Sequence, residues 1–271
     1  MRIIDCFIFN DEYDHLELRL RTLADTVDMF VLVESAHSFQ GRDKPLHWLN
    51  VRDDERWAPW RHQIVHVPVY DSPDPNGDPG GVGSPLFMVR ENHQRAAIAR
   101  GLYDIGDITD DLVIIGDVDE IARPESIDPA LEALSTGARF VELMAETYVW
   151  ASDLRYPALW HTTTAAFGRH ADPVPMRAAR ATPDVPTIER GSWHFTWQGG
   201  ADAAWRKLNS FSHVEVLAKY KGPADFAQRI ADRLDVHGVA LDLVPLDDSY
   251  PAPMQAGFLD HWRYENICNI T

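Results

Sequence analysis

The chain has 271 residues, 45% hydrophobic and 25% charged, which gives enough apolar mass for a sizeable core and excludes a disordered chain. Its formal net charge is −17 with no Lys/Arg-rich block, which disfavours a non-specific nucleic-acid binder. No run of about 18 apolar residues occurs, so no transmembrane segment is expected, and two cysteines near opposite ends, Cys6 and Cys268, make neither a disulfide framework nor a zinc site, so a reducing cytoplasm is the expected compartment.

The opening "MRIIDCFIFNDE" lacks a small-residue cleavage site and reads as a first strand over 2–9 rather than a signal peptide. A helix follows in "NDEYDHLELRLRTLAD", where Tyr13, Leu16, Leu20 and Leu23 share one face. "VDMFVLVES" (27–35) is a second strand, and strand–helix–strand of this length implies a parallel βαβ unit. A third strand is expected at 63–70. The Pro-, Gly- and Asp-rich stretch 71–85 is a loop, either a lid or plain disorder. "LFMVRENHQRAAIARGLYD" predicts a helix ending near Gly101. Then comes "DDLVIIGDVDEIARPES" (110–126), a buried strand running into Asp117, Asp119 and Glu120. One or two strands are expected over 138–150, an irregular aromatic stretch over 151–200, and helices over 201–215 and 223–235. With no repeat and no clear linker, residues 1–271 read as a single domain.

The acids at 117–120 need an explanation. Ligands of a parallel α/β sheet sit at the carboxyl ends of its strands. Side chains two apart in an extended segment point the same way, so Asp117 and Asp119 repel unless a cation joins them. A hard divalent ion, Mg²⁺ or Mn²⁺, suits such oxygens and also bridges to phosphates. The chain's acidity would otherwise repel a nucleotide, unless a cation or a local arginine cluster intervenes. The alternative is a solvated turn whose acids cap the next helix.

The stretches "FNDEYDHLELRLRTLADTVDMFVLVESAHSFQGRDKPLHW", "RENHQRAAIARGL", "DDLVIIGDVDEIARPE" and "GSWHFTW…KLNSFSHVE", in that order, resemble glycosyltransferase family 17. The resemblance implies an α/β fold of the GT-A type, with a mostly parallel central sheet, and an inverting, metal-dependent transfer from a UDP-sugar, expected to be UDP-GlcNAc. The acceptor would be a glycan, a glycolipid or a small glycoside. It also implies a divalent ion on Asp117 and Asp119, with His194 as a third ligand or a diphosphate contact. Donor contacts are implied at Asn10 and Glu12, where helix capping is the alternative. Glu34 ends the second strand, beside the base or ribose, unless it is a plain surface acid. Arg95 suits the phosphates, although Glu91 at i−4 could simply pair with it. Lys207 would neutralise leaving phosphate, and Trp193 would offer a sugar platform unless it is packed in the core. Arg19 reads as half of a structural ion pair. Glu215 and Glu120 are the candidate general bases. No counterpart of the Golgi members' membrane anchor is expected here, and 151–190 carries no recognised motif, so acceptor choice is expected to reside there. A metal-dependent phosphohydrolase and a silent nucleotide- or glycan-binding module are the rival readings.

Overall fold

A computed structural model describes residues 1–73, 86–210 and 219–268, without the side chains of 86, 87, 209 and 210. Strand β1 (Ile3–Phe9), helix α1 (Tyr13–Leu23) and strand β2 (Met29–Ser35) form the expected parallel unit. After α2 (His47–Val51), β3 (Ile64–Val69) extends the sheet in parallel beyond β2. Helices α3 (Leu86–Ala96) and α4 (Ile98–Ile105) lead into β4 (Leu112–Asp117), which pairs in parallel with the other side of β1. The parallel strands β1, β2 and β4 therefore bring Asn10, Glu34 and Asp117 to one edge of the sheet.

The rest of the sheet is antiparallel in large part. Strand β5 (Glu120–Ala122) turns back from β4, helix α5 (Ile127–Ser135) follows, and β6 (Val141–Val149) comes next. Strands β7 (Leu154–Arg155) and β8 (Trp160–Phe167) precede α6 (Pro173–Ala178) and β9 (Thr187–Thr196). Helices α7 (Gly200–Ser210) and α8 (Pro223–Ala231) are followed by β10 (Asp242–Leu243). The sheet order is β10-β7-β6-β8-β4-β1-β2-β3, with β9 pairing β5 and β6 off this path. Strand β8 runs antiparallel to β4 and to β6. The α/β class stands, and the sheet is mixed rather than mostly parallel. No described helix is long and apolar enough to cross a membrane.

Alternation along the strands sorts the core into two faces. Phe7, Phe30 and Leu32 pack with Leu16, Leu20 and Leu23 of α1. Ile4, Cys6, Val31 and Val33 pack with Ile98 and Leu102 of α4 on the other face. Each such fully buried aliphatic or aromatic side chain contributes roughly 1.5–3 kcal/mol. Gly101 does not end its helix; it is buried inside α4. A Cβ there would lie 2.5 Å from Val31 Cγ1 and 2.8 Å from Val67 Cγ2, so the missing side chain lets the helix lie directly on the sheet. The stretch 151–200 is also more regular than expected. "WHTTTAAF" carries no alternation because β8 lies inside the sheet and is buried from Thr162 to Phe167.

Candidate active site

The turn between β4 and β5 is held from beneath. Asp5 is the one carboxylate among the residues of β1 that face α1, and Arg19 of α1 meets it with two hydrogen bonds of 2.6 Å. Both side chains are fully buried. The same guanidinium donates through Nη1 to the carbonyls of Asp117 (2.8 Å) and Glu120 (2.7 Å). Arg19 is thus a structural pairing residue, as expected, and it also shapes the acidic turn. Gly116 keeps the turn tight: a Cβ there would come within 3.1 Å of the Glu120 carbonyl and of Thr163 Oγ1.

The two aspartates pair with different cations of the protein. Asp117 ends the strand, but Val118 and Asp119 form a turn, so the extended two-residue geometry breaks off between them. Asp117 Oδ1 lies 2.7 Å from Arg95 Nη1 of α3, which also pairs with Glu91 at 3.0 Å. Asp119 Oδ2 lies 2.7 Å from Lys207 Nζ of α7 and 3.7 Å from His194 Nε2 of β9. Burial works against the Asp117 carboxylate, but Arg95, with Arg180 and Arg177 behind it, holds its pKa far below the usual range. Burial likewise opposes Asp119, and Lys207 and His194 outweigh it, so that carboxyl also sits well below the usual range. Burial would lower the Lys207 pKa, yet Asp119 and Glu12 raise it. The repulsion anticipated between the aspartates is therefore relieved by cations of the protein itself.

Glu120 is buried and engaged on both oxygens. Arg180 donates to Oε1 at 3.2 Å and to Oε2 at 2.8 Å, and Oε2 also accepts the Asp117 amide at 2.9 Å. Those bonds make it a brace for the turn rather than an open proton acceptor. Glu215 lies outside the described residues, as do all but the first three residues of the 71–85 loop. Glu34 accepts from the amides of Trp48 (2.8 Å) and Leu49 (3.0 Å) and lies 2.7 Å from His66 Nε2. It caps the first turn of α2 instead of facing outward. Trp193 is 3% exposed, donates Nε1–H to the Ser249 carbonyl at 2.9 Å and lies under the Arg123 guanidinium. Its faces are spent on packing; the aromatic ring beside His194 is Trp160, 5.7 Å away and half-buried.

Asn10 lies half-buried at the end of β1, where its backbone N–H donates to Glu12 Oε2 at 3.1 Å. Burial lifts the Glu12 pKa, Lys207 pulls it the other way, and Asp119 and Asp11 add to the rise. His15, in the first turn of α1, donates Nε2–H to the Phe195 carbonyl at 2.7 Å, which fixes its neutral tautomer. Its burial takes the imidazole down to about 4, against the pull of Asp119. Sequence reasoning passed over His15, Arg177 and Arg180. The spacing "RAAR", two arginines three apart in an acidic chain, is the signal that could have found the last two.

Asp119 Oδ2 and His194 Nε2 present two donors to one point, and the Lys207 ammonium already sits against the oxygen. Among the described residues no group of three or more His, Cys, Asp or Glu comes together to hold a metal. This donor set fits a divalent ion that keeps most of its shell for phosphate oxygens and water, and does not fit an all-protein cage.

Residues 1–239 match the family model of Glycosyltransferase family 17. The chain belongs to that family. This family 17 chain is also 26% identical, over 126 residues, to beta-1,4-mannosyl-glycoprotein 4-beta-N-acetylglucosaminyltransferase of Rattus norvegicus, covering 46% of this chain and 22% of that protein. The protein of the same name from Homo sapiens matches at 26% over 126 residues, 46% of this chain and 23% of its own length. The matched stretch thus spans less than a quarter of either relative. Among solved structures, 4-diphosphocytidyl-2C-methyl-D-erythritol synthase from Anaerococcus prevotii aligns with a TM-score of 0.36 at 13% identity, over 69% of this chain and 87% of that one. Mannose-6-phosphate isomerase from Helicobacter pylori aligns with a TM-score of 0.34 at 11% identity, over 63% and 72%. Likenesses that distant carry no weight for the family 17 site.

Proposed function

We propose that this glycosyltransferase moves a sugar, GlcNAc, from its UDP donor to a hydroxyl of a glycan, glycolipid or small glycoside, with inversion. The observation that supports this is the ring of paired charges at the carboxyl edge of β1 and β4: Arg95 against Asp117, and Lys207 against Asp119 beside His194. The GlcNAc choice leans on the names of the relatives. Asp119 and His194 would hold Mn²⁺ or Mg²⁺, and when bound that ion neutralises charge on the departing diphosphate. Lys207, released from Asp119, is then a donor for a phosphate oxygen, and Arg95 supplies a second cation.

Glu12 is the carboxylate best suited to take the acceptor's proton, because burial raises its pKa while it stays in the field of Lys207 and Asp119. The half-buried Trp160, next to His194, offers the acceptor an aromatic face. A cytoplasmic site of action suits a chain whose two cysteines form no disulfide among the described residues. With Mn²⁺ present, UDP is expected to raise the melting temperature and GDP to raise it less, since only ligands that prefer the folded state stabilise it. Equal shifts for the two nucleotides in a thermal melt would remove uridine from the assignment.

A further inference from the structure

Three guanidiniums, those of Arg95, Arg177 and Arg180, gather at the acidic edge. Helix α6 packs against α3 and β4, which carry Arg95 and Asp117. Beyond its last turn, Arg180 reaches Glu120, and Glu120 in turn holds the Asp117 amide. Arg177 lies three residues earlier, half-buried, and its side chain forms no ion pair or hydrogen bond among the described residues. Its charge acts on both Asp117 and Arg180, and with burial it weakens Arg180's hold on its proton. Arg95 and Arg180 face carboxylates of the protein, whereas Arg177 has no such partner among the described residues, so one positive charge is left over beside the turn.

Unused donors point the same way. Arg95 Nε and Nη1 and Arg180 Nε are buried with no hydrogen-bond partner, as is Asp117 Oδ1. The Arg95 and Arg180 side chains are only 1% and 5% exposed. The Arg95–Asp117 contact is close, at 2.7 Å, but not aligned as a hydrogen bond. A buried guanidinium donor left unmatched is costly, and the oxygens of a phosphate, which the planar guanidinium fork can grip in pairs, match it well.

We propose that Arg95, Arg177 and Arg180 form the seat for the donor's diphosphate, with Arg177 touching a phosphate oxygen directly and Arg180 positioning the turn through Glu120. Asp117 meets Arg95 where a phosphate oxygen would compete for the same guanidinium. The seat rests on the reading of the site as a nucleotide-sugar site, and it is tested without the sugar or the base. Calorimetric titrations with inorganic pyrophosphate, UDP and uridine, in buffer holding Mg²⁺, compare the unaltered protein with R177Q, R177K and, as a surface control, R169Q. Losing one charge-assisted contact should weaken pyrophosphate and UDP roughly 10–100-fold in R177Q. Uridine should bind R177Q and the unaltered protein alike, R177K should recover part of the loss, and R169Q should lose nothing. Because Arg177 makes no internal pair, the R177Q melting temperature should match the parent's without ligand. Equal pyrophosphate affinity in R177Q and the parent overturns the seat, as does no pyrophosphate binding by the parent. Pyrophosphate binding that depends on Arg177, with equal shifts for UDP and GDP in the thermal melt, leaves the seat standing and removes the uridine donor instead.

Discussion

Asp119→Asn and Asp117→Asn are each expected to lose about a hundredfold or more in turnover, the scale for removing one preorganised charged partner of a transition state. Both should also lose stability at neutral pH. Two bare carboxylates side by side would have predicted the reverse, since removing one would relieve repulsion. In the structure each has its own buried or half-buried cation, so the asparagine leaves Lys207 or Arg95 without its counter-charge. The pH dependence follows from the depressed pKa values. A carboxyl whose folded pKa is lowered stabilises the fold above its unfolded pKa, about 3.9, and that contribution is lost as pH falls through the folded value. The gap in melting temperature between parent and variant should be full at pH 7 and narrow as pH drops below about 4. A variant as stable as the parent at pH 7, or a gap that widens in acid, would refute the pairing as the source of stability. Full turnover in both variants would remove the turn from the mechanism.

Arg19→Met should cost about 3–5 kcal/mol of stability, because it leaves the fully buried Asp5 without a partner. It should also lower turnover, because the carbonyls of Asp117 and Glu120 lose the donor that draws them together. The two effects separate in the double variant Arg19→Met, Asp5→Leu. Replacing both members of a buried pair by apolar groups is often neutral or better, so the urea midpoint should recover while turnover stays low. If the double variant is as active as the parent, Arg19 only balances Asp5 and does not shape the turn.

The parallel half of the fold was legible because its strands announce themselves. "IIDCFIF", "MFVLVES" and "LVIIGD" are apolar runs buried on both faces, and α1 carries a clear stripe. The antiparallel half was not. Strand β8 fills its positions with Thr and Ala, β9 begins with exposed polar residues, and both are fixed by partners far along the chain. In the site, the place of Asp117 at a strand's end was readable from order alone. The divergence of Asp119 was not, since one turn residue decides it. Glu34 and Trp193 read as ligand contacts from their positions, and contacts with Trp48, Leu49 and Ser249 gave them internal partners instead. Arg180 meets Glu120 across 60 residues, a pairing that no local pattern encodes.

The cations of this site are sunk beneath an acidic exterior, with Arg95 1% exposed and Lys207 21% exposed in a chain of net charge −17. Distance then separates two opposing fields. Far from the surface an approaching anion meets net repulsion; only beside the buried cations inside the site does it meet attraction. Mobile ions screen the first far more than the second, because the Debye length at physiological ionic strength is about 8 Å. Added salt should therefore quicken the arrival of a small anionic donor at moderate concentrations, the opposite of what a positively charged entrance would give, and a long polyanion, which cannot fit all its charge inside, stays excluded.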